Sequence, residues 1–100
     1  MKTPPKPSDA DGLKLLRTAI VKMERFCAHQ ERCEQEVKEK MKPFALSRED
    51  SERVLAHLRE QKFLDEKRFI GCFIRDKFRF KRWGRVRLRQ ELQRRAIAAD

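Results

Sequence analysis

One hundred residues with a net charge of +10, 42% charged and 39% hydrophobic, make one domain or a short repeat array with a modest core. No apolar run approaches the roughly eighteen residues of a membrane span, and no secretory signal opens the chain, so the protein is expected to work in the cytoplasm without membrane contact. Cys27, Cys33 and Cys72 are odd in number and fit no C-x2-C spacing, and only His29 and His57 add nitrogen ligands; this argues against a disulfide scaffold, a structural metal or any other cofactor.

Residues 1–10, with Pro4, Pro5 and Pro7, read as a loose leader, and Asp9 or Asp11 is placed to cap the helix that follows. From Leu13, the residues Leu15, Leu16, Ala19, Ile20, Met23, Phe26 and Cys27 recur at three and four, one face of a helix of about four turns. A short second helix spans about 33–42, with Val37 and Met41 one turn apart, and Pro43 ends it by removing a backbone donor and restricting Lys42. Ser47 then opens a third helix as N-cap, with Asp50 in the place of a capping-box glutamate and Val54, Leu55 and Leu58 as its buried face. Asp65 caps a fourth helix over about 66–80, with Glu66 complementing its dipole. Its apolar stripe, Phe69, Ile70, Phe73, Ile74 and Phe78, is expected in the core. Lys81, Arg82, Trp83 and Gly84 form a basic turn, and a fifth helix from Arg85 to about Arg95 buries Val86, Leu88 and Leu92. No alternating stretch argues for a sheet, so the expected fold is all-α.

The helix order reads as tandem three-helix repeats. A 51-residue offset places Val37 on Leu88 and Met41 on Leu92, and a 54-residue offset places Leu15, Leu16, Ala19 and Ile20 on Phe69, Ile70, Phe73 and Ile74. Such units cannot bury their faces alone and must stack. The first repeat is expected over residues 11–64. The second, over 65–100, has two helices, with its third cut off.

The charge is concentrated. Residues 1–66 hold 14 Lys+Arg against 13 Asp+Glu, whereas residues 67–95 hold 12 against 2. A field of that density attracts polyanions or an acidic protein face. Arg85, Arg87 and Arg89 open a helix, where a cation opposes the dipole; a partner carboxylate or phosphate is the simplest compensation. Arg85 and Arg89 share a face, Arg87 points elsewhere, and Arg75, Arg79, Lys81 and Arg82 extend the patch. Trp83 either packs against Val86 as a helix staple or serves as a half-exposed anchor for a partner or base. Catalysis is not expected: neither histidine has a triad-like or ligand-like pairing, and Gly12, Gly71 and Gly84 build no phosphate-cradling loop.

These residues resemble the RecX family, bacterial regulators of the RecA recombinase, from about Leu13 to Ile97. The resemblance rests on Phe63-Leu64-Asp65-Glu66-Lys67-Arg68-Phe69 at the repeat junction and on Lys81-Arg82-Trp83-Gly84 running into Arg85-Val86-Arg87. Gln90-Glu91-Leu92 extends it, as do Glu36-Val37 and Lys40-Met41 in the first repeat. It implies a curved, right-handed array of three-helix units, usually three. It also implies binding along the groove of the RecA filament with modulation of the recombinase, and, for several members, direct binding to single- or double-stranded DNA. Two residues depart from the family pattern. Cys33 stands in the place of an N-cap serine, and Ala96 in the place of a glycine, costing roughly 1 kcal/mol if that backbone is left-handed. The third repeat is expected to be absent.

The sequence thus predicts a monomeric regulator that binds the RecA filament through Arg75, Arg79, Lys81, Arg82, Trp83, Arg85 and Arg89, presented by a core of Phe69, Ile70, Phe73, Ile74, Leu88 and Leu92. The alternative is an independent basic, helical nucleic-acid-binding domain. Its weakness is that the Lys81–Gly84 linker is not the compact turn of a helix-turn-helix.

Overall fold

Helical periodicity without strand alternation gives five α-helices in the protein, whose structure, a computed structural model, describes residues 9–97. They are α1 (Asp9–His29), α2 (Glu34–Met41), α3 (Arg48–Glu60), α4 (Glu66–Lys81) and α5 (Arg85–Arg94), with a one-turn 3-10 helix at Lys42–Phe44. Residues 1–8 of the expected leader lie outside the described residues. The first helix is longer than its apolar stripe, 21 residues, so Asp9 and Asp11 fall within it rather than ahead of it. Pro43 does not stop the chain abruptly: it enters the 3-10 turn, where its missing N–H costs nothing.

The caps behave as their chemistry dictates. Ser47 Oγ accepts from the Asp50 amide at 3.0 Å, while the Asp50 carboxylate accepts from Arg53, also at 3.0 Å. Asp65 Oδ1 accepts from the Arg68 amide at 3.0 Å. At the start of α2, where Cys33 is the N-cap, the Glu36 carboxylate reaches back and accepts from the Cys33 amide at 2.9 Å, meeting the first-turn donor from the other half of a capping box.

Two cores form. Ala19, Met23 and Cys27 of α1 meet Val37 and Met41 of α2, Val54, Leu55 and Leu58 of α3, and Leu64. The second gathers Phe69 and Phe73 of α4, Leu92 of α5, Cys33 and Ile97, with Ile70, Trp83 and Leu88 half-buried around them. With two small cores in line, the molecule is long, about 61 × 22 × 20 Å, with a radius of gyration of 16.8 Å, against the ~13 Å of a spherical domain this size. Cys33, just ahead of α2, is buried in the second core and so links the two halves, and polar contacts add to the packing. Arg59 makes two 2.8 Å hydrogen bonds to Glu34, tying α3 to α2 and holding that carboxyl below its ordinary pKa. Arg68 donates to Glu31 at 2.6 Å and to the Lys62 and Phe63 carbonyls at 2.9 and 3.3 Å. One side chain thereby fastens the start of α4 to the end of α3 and to the α1–α2 loop.

Several residues expected in the core are not there. Ile74 is 40% exposed, Phe78 66% and Val86 71%. The reason is supply: α5 offers α4 only Leu88 and Leu92 with Ile97 beyond, too little apolar surface to cover five apolar residues of α4. Leu15, on the outer edge of the α1 stripe, is exposed as well.

The helix ends carry a stability prediction. Both α3 and α5 end in the same paired bonds: Phe63 and Lys62 amides to the Leu58 and Arg59 carbonyls, and Ile97 and Ala96 amides to the Leu92 and Gln93 carbonyls. Each needs a left-handed residue, supplied by Lys62 (φ 66°) and Ala96 (φ 58°). Ala96→Gly removes the Cβ penalty of that conformation at some cost in unfolded-state entropy, and is expected to stabilise the protein by about 0.5–1 kcal/mol in urea unfolding. Destabilisation would contradict the assigned backbone.

Candidate functional site

The α4–α5 hairpin is set by an alternation of rings and cations. Arg82, in the left-handed conformation (φ 58°), terminates α4, and the Trp83 amide donates back to the Lys77 carbonyl at 3.1 Å. Gly84, by contrast, has φ −81° and is the N-cap of α5. The turn therefore draws its left-handed residue from Arg82 and not from the glycine. Trp83 folds back on Phe73, edge to face, with centroids 6.1 Å apart. It does not staple to Val86, which stays in solvent. Lys77 lies 5.2 Å from the Trp83 ring and 5.7 Å from Phe73; Arg87 caps the other ring at 4.1 Å and Arg95 caps Phe73 at 4.8 Å. These contacts are each worth about 0.5–2 kcal/mol. Arg87 stands about 200° around the helix from Arg85, and its guanidinium is committed to Trp83.

The remaining cations are free to act outward. Arg68 is paired with Glu31, and Arg94 and Arg95 with Glu91. Although desolvation opposes it, hydrogen bonding from these two arginines holds the Glu91 carboxyl below its ordinary pKa. Arg75, Arg79, Lys81, Arg82, Arg85 and Arg89 are exposed and make no side-chain hydrogen bond or ion pair among the described residues. Arg75, Arg79 and Arg82 come together with Ile74 and Phe78 around a groove of about 430 Å³ on α4. Arg85 and Arg89 stand one turn apart on α5, and Lys81 ends α4. The expected patch is thus a groove on one helix and a two-arginine face on the next, joined by the Arg82 turn. The apolar floor of the groove was missed in the sequence because Ile74 and Phe78 share the spacing of the buried Phe69 and Phe73. The available signal was the shortage of apolar residues on α5.

No group of three His, Cys, Asp or Glu among the described residues is placed to hold a metal ion. His57 Nε2 lies 2.7 Å from Glu24 Oε2, joining α3 to α1. Burial pushes the Cys27 thiol up to about 11 and raises that of Cys33 too. The neutral thiol of Cys27 therefore favours the fold below its ordinary value of 9.0, and that contribution is lost as pH rises toward 11. In native protein at neutral pH, Cys72, the most accessible of the three, is expected to react first with a thiol reagent, and Cys27 and Cys33 only on unfolding. Simultaneous labelling of all three would contradict this burial.

Residues 65–100 match the family model described as the second three-helix domain of RecX. Over 93 residues the sequence is 34% identical to the regulatory protein RecX of Prosthecochloris aestuarii (strain DSM 271 / SK 413), a span of 93% of this chain and 59% of that relative. The chain therefore covers less than two thirds of the length of the curated relative it matches. No solved structure matches it. No described helix is long and apolar enough to cross a membrane.

Proposed function

The chain belongs to the RecX family, and on that premise we propose that it is a regulatory protein that binds the RecA nucleoprotein filament and modulates the recombinase. The regulatory role is carried by the likeness to a RecX protein. The contact is carried by one structural observation: between Arg75 and Arg89, six exposed cations on α4, the Arg82 turn and α5 have no internal side-chain partner. Unpaired arginines held on folded helices are presented ready for carboxylates or phosphates, without the entropy cost of ordering a loop. Within this proposal the chain is a monomer in the cytoplasm, built as tandem units over residues 11–64 and 65–100, and Arg82, Trp83, Arg85 and Arg89 form the leading edge.

The test is the double substitution Arg85→Glu, Arg89→Glu. Folding is expected to be nearly unchanged, because exposed charges contribute little to stability. Affinity for RecA-coated single-stranded DNA at one fixed salt concentration is expected to fall by at least about 2 kcal/mol, roughly thirtyfold, if both arginines are desolvated against opposite charge. Unchanged affinity would remove this face from the interface. The same cations also favour a second reading, direct nucleic-acid binding. Equal loss on bare DNA and on the filament would support it, together with an affinity for bare DNA that falls steeply between about 50 and 200 mM salt.

A further inference from the structure

The two halves of the molecule meet across little surface. Among the described residues, no helix of α1–α3 packs along α4 or α5. Instead, α2 and α5 face each other across a cleft of about 560 Å³, with Gln35 and Glu39 on one wall and Glu91 and Arg94 on the other. The junction rests on Cys33, which sits in the second core, and on Arg68, which reaches back to Glu31 and to the Lys62 and Phe63 carbonyls. We infer that this junction is a hinge, and that the Arg68–Glu31 pair is the latch that holds it shut.

The chain path supplies the pivot. Leu64 is buried in the first core and Phe69 in the second. From Leu64 onward only Asp65 lies outside a helix before α4 begins, and its backbone is extended (φ −147°, ψ 107°). Cys33, where the halves touch again, is also an extended residue just ahead of a helix (φ −98°, ψ 166°). Element-terminal residues of this kind absorb the dihedral change of a hinge while the helices beyond them move as rigid bodies.

The latch is a weak one. Arg68 Nε donates to Glu31 Oε2 at 2.6 Å, but two features oppose that bond. Glu31 Oε1 is buried and accepts no hydrogen bond among the described residues, so shutting the latch strips this oxygen of water without a replacement. The pair is also only partly buried, its side chains 40% and 28% exposed, and ion pairs so placed are weakened by salt. Opening rehydrates Oε1 and leaves both cores whole, because neither Arg68 nor Glu31 belongs to either. The angle between the halves therefore answers to ionic conditions, while the packing within each half does not. This inference concerns the chain alone and stands or falls separately from the filament proposal.

Spin labels read the joint by double electron–electron resonance. In a Cys72→Ser chain, Cys27 and Cys33 stay buried, and labels are placed at exposed positions through Ala56→Cys on α3 and Asp76→Cys on α4. At low salt the distance between them is expected to be single and narrow. Arg68→Met, Glu31→Gln and about 1 M salt, where the screening length is roughly 3 Å, are each expected to broaden it and add a displaced population. Control pairs within one half, Lys38→Cys with Ala56→Cys and Asp76→Cys with Gln93→Cys, should keep their distances, and circular dichroism should not change. Glu31→Gln is the milder variant and decides the matter if Arg68→Met fails to fold. Three results would overturn the inference. One is a distance across the junction that stays unchanged in either folded variant or in salt, which makes the Cys33 contact a rigid joint. Another is a distribution already broad in the unsubstituted chain at low salt, which leaves no latch. The third is broadening in the control pairs, which means unfolding rather than bending.

Discussion

Phe73→Ala is expected to cost about 3–5 kcal/mol, the range for deleting a buried ring. Phe73 is 8% exposed, stacked on Phe69 at 5.8 Å and against Trp83 at 6.1 Å, and two cations, Lys77 and Arg95, rest on its face. Removing it takes the shared surface from all four neighbours. The second core has five buried members, so the loss approaches the whole stability expected of a small unit. Thermal melting and native-state hydrogen exchange should show α4 and α5 opening first, with α1–α3 protected. A melt matching that of the unsubstituted chain would refute the placement of Phe73.

Leu58→Ala is expected to cost about 2–5 kcal/mol and to act on the other core. Leu58 is fully buried against α1 and α2, and its carbonyl accepts from both the Phe63 and Leu64 amides, at 2.8 and 3.1 Å. The cavity would thus open at the point where α3 hands the chain to α4. Because Arg68 joins the two halves through Glu31 and the Lys62 and Phe63 carbonyls, the loss should spread into α4. Urea unfolding followed separately by Trp83 fluorescence and by helicity measures this. Coincident transitions at lower urea are expected, whereas a Trp83 transition left at its original midpoint would show that the halves unfold independently.

The site was partly legible. That the charge lies in the last third, and that Arg85 and Arg89 share a face while Arg87 does not, follows from counting and from the 100° step of a helix. That Arg87 and Lys77 are held by rings, leaving Arg75, Arg79, Lys81, Arg82, Arg85 and Arg89 unpaired, does not. It depends on where Trp83 turns, and Trp83 turns onto Phe73, edge to face at 6.1 Å. The groove was hidden for a related reason. Hydrophobic periodicity marks residues able to be buried, but burial also requires a covering element.

By itself the amino-acid sequence determined the all-helical class, the caps at Ser47 and Asp65 and the face of α1 that meets α2 and α3. Each of these is a local matter: the 3.6-residue period, a side-chain oxygen within reach of a first-turn amide, a proline without a donor. Only the tertiary structure decided which half of the α4 stripe is buried, that Arg82 rather than Gly84 takes the left-handed turn, and that Arg68 is the fastening between the two cores. The Arg68 fastening joins residues 37 positions apart, the Arg82 turn goes with Trp83 folding onto Phe73, and the exposed half of the α4 stripe reflects a shortage of covering surface. No local pattern records the neighbour a side chain will meet or the one it will lack.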